Sequence, residues 1–129
     1  MSRNAVAACA RLNTPLIALS RAPWTPQSGD TWHSVPEIDS AVAALNGPAQ
    51  NVFLAIGRQT LAPFASQPQH HYLLRLVDAP VTPVPLPNHS VVVARGPFTL
   101  DGDRHLIKTN RIHSVVSKNA GGTAARAKL

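Results

Sequence analysis

Three times in this chain a short run of β-branched and aliphatic residues stops at a polar turn that holds a cation. This recurrence restricts the fold more than any other feature. Residues 51–59, Asn-Val-Phe-Leu-Ala-Ile-Gly-Arg-Gln, end in Gly57-Arg58, and residues 90–98, Ser-Val-Val-Val-Ala-Arg-Gly-Pro-Phe, end in Arg95-Gly96-Pro97. Residues 113–123, His-Ser-Val-Val-Ser-Lys-Asn-Ala-Gly-Gly-Thr, pass through Ser117-Lys118-Asn119 to Gly121-Gly122, ahead of an Ala-rich helical run. Short apolar runs bounded by Gly and Pro read as buried strands, and strands alternating with helical stretches predict an α/β chain: a mainly parallel sheet with helices on both faces. In such sheets the turns after the strands share the carboxyl edge, where helix N-termini with free N–H groups attract anions.

Reading the rest in order, the spacing of Ala5, Ala8, Cys9 and Leu12 predicts a first helix with one buried face, capped by Ser2 or Asn4. Residues 15–19 read as a strand, residues 21–30 as a crossing rich in Pro and Gly around Trp24, and residues 31–35 as a short strand. Pro36 opens a helix over residues 36–45, with Glu37 and Asp39 in its first turn and Asn46-Gly47 at its end. Then follow a strand to Ile56, a short helix over 59–66, a strand over 71–77, and a surface crossing that Pro80, Pro83, Pro85 and Pro87 force to be extended. The pattern closes with a strand over 90–94, a helix from about Thr99 to Asn110 capped by Thr99 and weakened by Gly102, a strand over 112–116 and a final helix.

The 129 residues suit one domain, and a hydrophobic content of 44% with only 5% aromatics predicts a core built from Val, Leu, Ile and Ala. Twelve Lys and Arg against six Asp and Glu give a formal charge of +6, which favours anionic partners. The basic residues are dispersed and no stacking platform accompanies them, so nucleic acid is not the expected partner. A lone cysteine among alanines excludes an internal disulfide and reads as a small buried hydrophobe in a cytoplasmic protein, and no run approaches a membrane span. The six histidines lack zinc spacing, and no hydrolase, metalloprotease, phosphate-loop or dinucleotide signature occurs; no metal is assigned.

Arg58, Arg95 and Lys118 each follow an apolar strand, and Arg75 lies near the end of a fourth. Singly, each reads as a solvated charge or an internal ion pair. Four at one edge suit a ligand with several acidic arms, which guanidinium groups grip in a bidentate way. Gly121-Gly122 either eases the start of a helix or lets backbone approach a phosphate closely.

Together the motifs Ser2-Arg3-Asn4-Ala5 with Ala8-Cys9, Arg21-Ala22-Pro23-Trp24, Gly57-Arg58-Gln59, Arg75-Leu76-Val77-Asp78, Arg95-Gly96-Pro97-Phe98 and Ser117 through Gly122 give a chain that resembles the precorrin-6A reductase family of cobalamin biosynthesis. The resemblance implies two Rossmann-like domains with NADPH and a polycarboxylate tetrapyrrole between them, and hydride transfer that converts precorrin-6A to precorrin-6B. The family's opening strand, its Gly-Gly-Thr turn and its Asp-Ala-Thr-His-Pro-Phe segment have no counterpart here, and its last strand falls beyond Leu129. The expectation is therefore an internal piece: residues 1–24 as a remnant of the first domain and the crossing, residues 25–129 as a nearly complete second domain, inactive alone and prone to self-association through exposed sheet edge. The candidate residues for cofactor or substrate are Arg58, Arg75, Arg95, Gly96, Ser117, Lys118, Asn119, Gly121, Gly122 and Thr123; no catalytic residue is assigned. A non-catalytic α/β module that binds an anionic nucleotide is the other class these features admit.

Overall fold

The computed structural model describes residues 3–121. Its centre is strand β1 (Asn51–Ala55), whose Val-Phe-Leu core is wholly buried. β1 pairs in parallel with β2 (His71–Leu76) on one side, Val52 opposite Tyr72, and with β4 (Ser114–Ser117) on the other, Val52 opposite Ser114. β3 (His89–Val93) extends the sheet beyond β2, giving the order β3-β2-β1-β4. The expected parallel α/β sheet is present, with each strand within two residues of its predicted limits.

Residues of a strand face alternate sides, and both sides are covered. Val52, Leu54, Ile56, Tyr72, Leu74 and Leu76 pack with Ala41, Val42 and Leu45 of and after helix α2 (Ile38–Ala44), with Leu61 and Phe64, and with Leu86. Leu86 is the anchor by which the proline-rich connection is held down, whereas Val81 stays exposed. On the opposite side Phe53, Leu73 and Arg75 face helix α3 (Leu100–Thr109), whose Asp103 meets Arg75. Thr99 caps α3 as expected, its hydroxyl accepting from the Gly102 N–H at 3.1 Å. A Cβ at Gly102 would lie 2.9 Å from that hydroxyl, so the glycine that lowers helix propensity also makes room for the cap.

Four expectations are corrected. Helix α1 (Arg3–Arg11) forms but buries no residue, and Cys9 is only half-buried, because its apolar stripe has no partner among the described residues. Residues 15–19 are not a strand; Ile17 is 94% and Leu19 99% exposed, with no neighbouring strand among the described residues to supply hydrogen bonds. Residues 31–35 are likewise irregular. The short helix over 59–66 is two 3-10 turns, Arg58–Thr60 and Ala62–Ser66, since Pro63 removes an amide donor from any continuous helix. The final helix lies outside the described residues.

The amino edge of the sheet is closed by side chains. His113 Nδ1 accepts from the Asn51 N–H at 3.1 Å, Asn51 Nδ2 donates to the carbonyls of Asn110 and Arg111, and Ser114 donates to Gln50 at 2.7 Å. Buried His70 accepts from the Gln50 N–H at Nδ1 and donates from Nε2 to the Leu45 carbonyl at 2.8 Å. These histidines bind neighbouring backbone, and among the described residues no three His, Cys, Asp or Glu side chains form a metal-sized group.

Tyr72, the chain's single tyrosine, is fully buried; its ring meets Phe64 edge-on and its phenol donates to the Gln67 carbonyl at 2.8 Å. Burial pushes the phenol up from 10.0 to about 12. The folded-state value lies above the unfolded one, so this contribution to stability is complete below pH 10 and is lost as pH rises from 10 towards 12. The loss is on the order of 2 to 3 kcal/mol, at about 1.4 kcal/mol per pH unit. Urea unfolding at pH 9 and pH 11.5 checks it: the difference in stability between wild type and Tyr72→Phe should narrow or reverse at the higher pH. A constant difference would contradict the assignment.

Candidate functional site

Because the four strands among the described residues are parallel, the turns that follow them share one edge. The chain moves from β1 outward to β2 and β3, then returns to the other side of β1 for β4, so the direction of winding reverses between β1 and β4. At such a reversal the two connections leave on opposite faces and a crevice opens at the carboxyl ends. Ala55 is in register with Ser117, which sets Gly57-Arg58 beside Lys118-Asn119 at that crevice.

Gly57 has φ 83° and ψ 163°, a combination essentially restricted to glycine, and no atom lies within 4 Å of where its Cβ would be. Protein packing therefore does not require the missing side chain. Arg58 is exposed and donates to the Thr82 hydroxyl of the proline-rich connection. Lys118 is exposed, and its ammonium has no hydrogen-bond or ion-pair partner among the described residues. Ser117, half-buried, donates to the Lys118 carbonyl at 3.1 Å and so tightens the turn. Two strands from β1, β3 ends near Arg95, which pairs with Asp78 after β2 at 2.9 Å; both side chains are largely exposed, so the pair is weak and open to exchange. Gly96, beside it, is exposed, and a Cβ there would lie 3.4 Å from the Phe98 ring, an ordinary contact.

Arg75 lies elsewhere. It sits within β2, not after it, and its side chain is 7% exposed. The guanidinium is stacked 3.6 Å from the Phe98 ring centroid and 5.0 Å from that of Phe53, and it is ion-paired with Asp103. These partners fill the place a ligand would take. The sequence carried a signal for this: Arg75 alternates with Leu73 on a buried face, where a cation requires an acid, and Asp103 supplies it. Asp103 falls in the first turn of α3, where an acid also suits the helix dipole. Asp103 Oδ2 is buried without a partner among the described residues, so the pair is incompletely satisfied.

Asn119 bonds the backbone of Trp24 at both its N–H and its carbonyl, each at 2.8 Å. Gly121 is buried against Ala22, with φ 66°. Gly122 and Thr123 lie outside the described residues. A solvent-open concavity of about 490 Å³, lined by Asp39, Val42, Ala43, Pro63, Ser66 and Gln67, lies between α2 and the second 3-10 turn. It has one ionisable group, an acid, and does not match the cationic edge.

Fold and edge define a class: a Rossmann-like α/β module with cations gathered where strand order reverses. The chain belongs to the precorrin-6x reductase family CbiJ/CobK, whose family model matches residues 1–129. It is 57% identical over its whole length to the precorrin-6A reductase of Rhodobacter capsulatus and 40% identical to that of a Sinorhizobium species. The solved structure of a CobK precorrin-6A reductase superposes on the whole chain with a TM-score of 0.95 at 57% identity. The chain spans about half the length of these relatives, 51%, 49% and 51% respectively.

The uses of the arginines separate in stability. Arg75→Met leaves Asp103 buried and unpaired and should cost roughly 3 to 5 kcal/mol, whereas Arg95→Met should cost no more than about 1 kcal/mol. Replacing both partners, Arg75→Met with Asp103→Leu, should recover most of the loss. Denaturant midpoints of the four proteins measure this, and an Arg75→Met chain as stable as wild type would refute the internal role.

Proposed function

We propose that this chain is the part of a precorrin-6A reductase that supplies one wall of a site for NADPH and a polycarboxylate tetrapyrrole, and that it serves the reduction of precorrin-6A to precorrin-6B in cobalamin biosynthesis. The observation that carries the reading is the coincidence of whole-chain similarity to precorrin-6A reductases with a cation at the β1/β4 crevice that has no ion-pair partner among the described residues. Residues 1–24 are then the tail of a first domain and the crossing, and residues 25–129 belong to the second.

The residues at the crevice fit an anionic nucleotide. Gly57 provides open backbone where a phosphate needs close approach, and Arg58 and Lys118 provide charge on either side. When bound, NADPH supplies the hydride for a ring double bond of the substrate. The chain's own residues hold and orient the anions: Lys118 and Arg58 at the crevice, and Arg95, whose exposed bond to Asp78 a carboxylate arm can replace. Orientation matters most in such a reaction, because misplacing a bound reactant by about 1 Å costs on the order of a hundredfold in rate. A chain that furnishes only one wall is accordingly expected to turn over little substrate.

Two measurements check this. Residues 1–129 alone should oxidise NADPH negligibly with precorrin-6A, and supplying the upstream segment of the reductase should restore turnover; steady oxidation by the chain alone would refute the one-wall reading. Lys118→Met should weaken NADPH or tetrapyrrole binding by about 1 to 3 kcal/mol, the range of a charge-assisted hydrogen bond, with the difference shrinking as salt rises. Equal dissociation constants for both ligands at low salt would remove Lys118 from the site. Binding of nucleotide with no visible-band change on tetrapyrrole titration would point instead to a nucleotide-binding module without reductase chemistry.

A further inference from the structure

The turn after β4 does more than present Lys118. Asn119 commits both halves of its side-chain amide to one residue 95 positions earlier: the Trp24 N–H donates to Oδ1 at 2.8 Å, and Nδ2 donates to the Trp24 carbonyl at 2.8 Å. This is the donor and acceptor pair a neighbouring strand would offer. A short amide matches it because one planar group carries a neutral donor and a neutral acceptor side by side.

A second, independent contact lies two residues on. Gly121 is buried, with φ +66°, and a Cβ there would stand 2.2 Å from the Ala22 carbonyl oxygen and 3.0 Å from both the Ala22 carbonyl carbon and the Arg21 Cβ. The obstacle is backbone, so no side-chain rotation relieves it. Residues 21–24, which belong to no helix or strand, are thereby pinned at two points to the loop that leaves the crevice.

We propose that Asn119 is a positioning residue which, with Gly121, seats residues 21–24 as a wall of the β1/β4 crevice and so fixes the direction from which a ligand reaches Lys118. This rests on the reading of that crevice as the nucleotide site. It gives Asn119 and Gly121 a different task from ligand binding: their close contacts are with the chain itself.

The test exploits a chemical feature of the clamp. In Asn119→Asp the ionised carboxylate at pH 7 has two acceptors and no donor, so it faces the Trp24 carbonyl with a repulsive group. Below about pH 4 the protonated carboxyl regains one donor and one acceptor. Backbone amide exchange of Trp24 is measured by NMR in the 129-residue chain, with the buried Phe53 amide of β1 as the reference for an intact fold. Relative to wild type at the same pH, Trp24 protection should fall roughly two- to tenfold in Asn119→Asp at pH 7, where the N–H keeps an acceptor but the carbonyl loses its donor, as for the loss of one ordinary hydrogen bond. It should return at pH 3.5, and it should stay low at both pH values in Asn119→Ala. A merely structural lesion would not be rescued by acid. Wild-type protection of Trp24 in Asn119→Ala at pH 7, with Phe53 protected, would overturn the clamp. NADPH titration at pH 7 gives the second arm: Asn119→Ala, which keeps Lys118, should bind several-fold more weakly than wild type, and equal affinity would overturn the wall. If wild type binds no NADPH, the nucleotide reading fails, and the exchange arm still decides whether Asn119 holds residues 21–24.

Discussion

β1 is hydrogen-bonded in parallel on both sides, to β2 and to β4, and the relative placement of Arg58, Arg75 and Lys118 depends on that double pairing. Parallel neighbours cannot be joined by a tight hairpin; each must be reached by a crossover that carries the chain back to the amino edge. All strand exits are thereby forced to one edge and all strand entrances to the other. The two edges then diverge in character. At the entrances, His70, His113, Asn51 and Gln50 close the backbone with side-chain bonds, whereas at the exits stand exposed cations and a glycine with open space beside it. A sheet stitched at one edge tolerates an open, charged crevice at the other.

Charge alone did not separate the cations that a ligand can reach from those that the fold consumes. Arg75 and Lys118 both look like strand-end cations in the sequence. Arg75 lies one residue inside β2, on the face of Leu73, where desolvation makes an unpaired cation prohibitive; two aromatic faces and Asp103 compensate it. Its charge is cancelled locally and adds little to the field at the edge. Lys118 is beyond the last ladder position, in water, and its charge is cancelled by no acid among the described residues. Arg95 falls between the two, since an exposed pair with Asp78 is worth so little that a carboxylate ligand can compete for it.

The four strands were legible because each combines β-branched residues with a Gly, Pro or polar boundary, and burial of both faces removes any ambiguity of register. The cap at Thr99 was legible for a local reason as well, a hydroxyl three residues ahead of an amide with no helical partner. Residues 15–19 have much the same apolar composition as a strand, yet they form none, because pairing is a property of two segments and the second is absent among the described residues. Helix α1 shows the same effect at helical spacing: an apolar stripe specifies a face, and only a neighbour can bury it. The Asn119 to Trp24 contact was beyond sequence reasoning for the opposite cause. Both residues belong to motifs that carry the family resemblance, but nothing local links positions 95 residues apart.

The magnitude of that contact explains why it sits where it does. Ordering the backbone of residues 21–24 costs on the order of 4 to 8 kcal/mol at about 1 to 2 kcal/mol per residue, while two neutral hydrogen bonds return only about 1 to 3 kcal/mol. The balance must come from packing, and the contributions in view are the half-buried Trp24, an aromatic large enough to supply several kcal/mol, and the close backbone contact at Gly121. The terms nearly cancel, so the connection is held without a large surplus. A covering of apolar side chains would hold it more firmly but would also close the crevice and desolvate the neighbouring cation. An amide clamp adds no apolar cover to the edge. It also places the ordering of residues 21–24 within the range that a binding event of ordinary strength can shift.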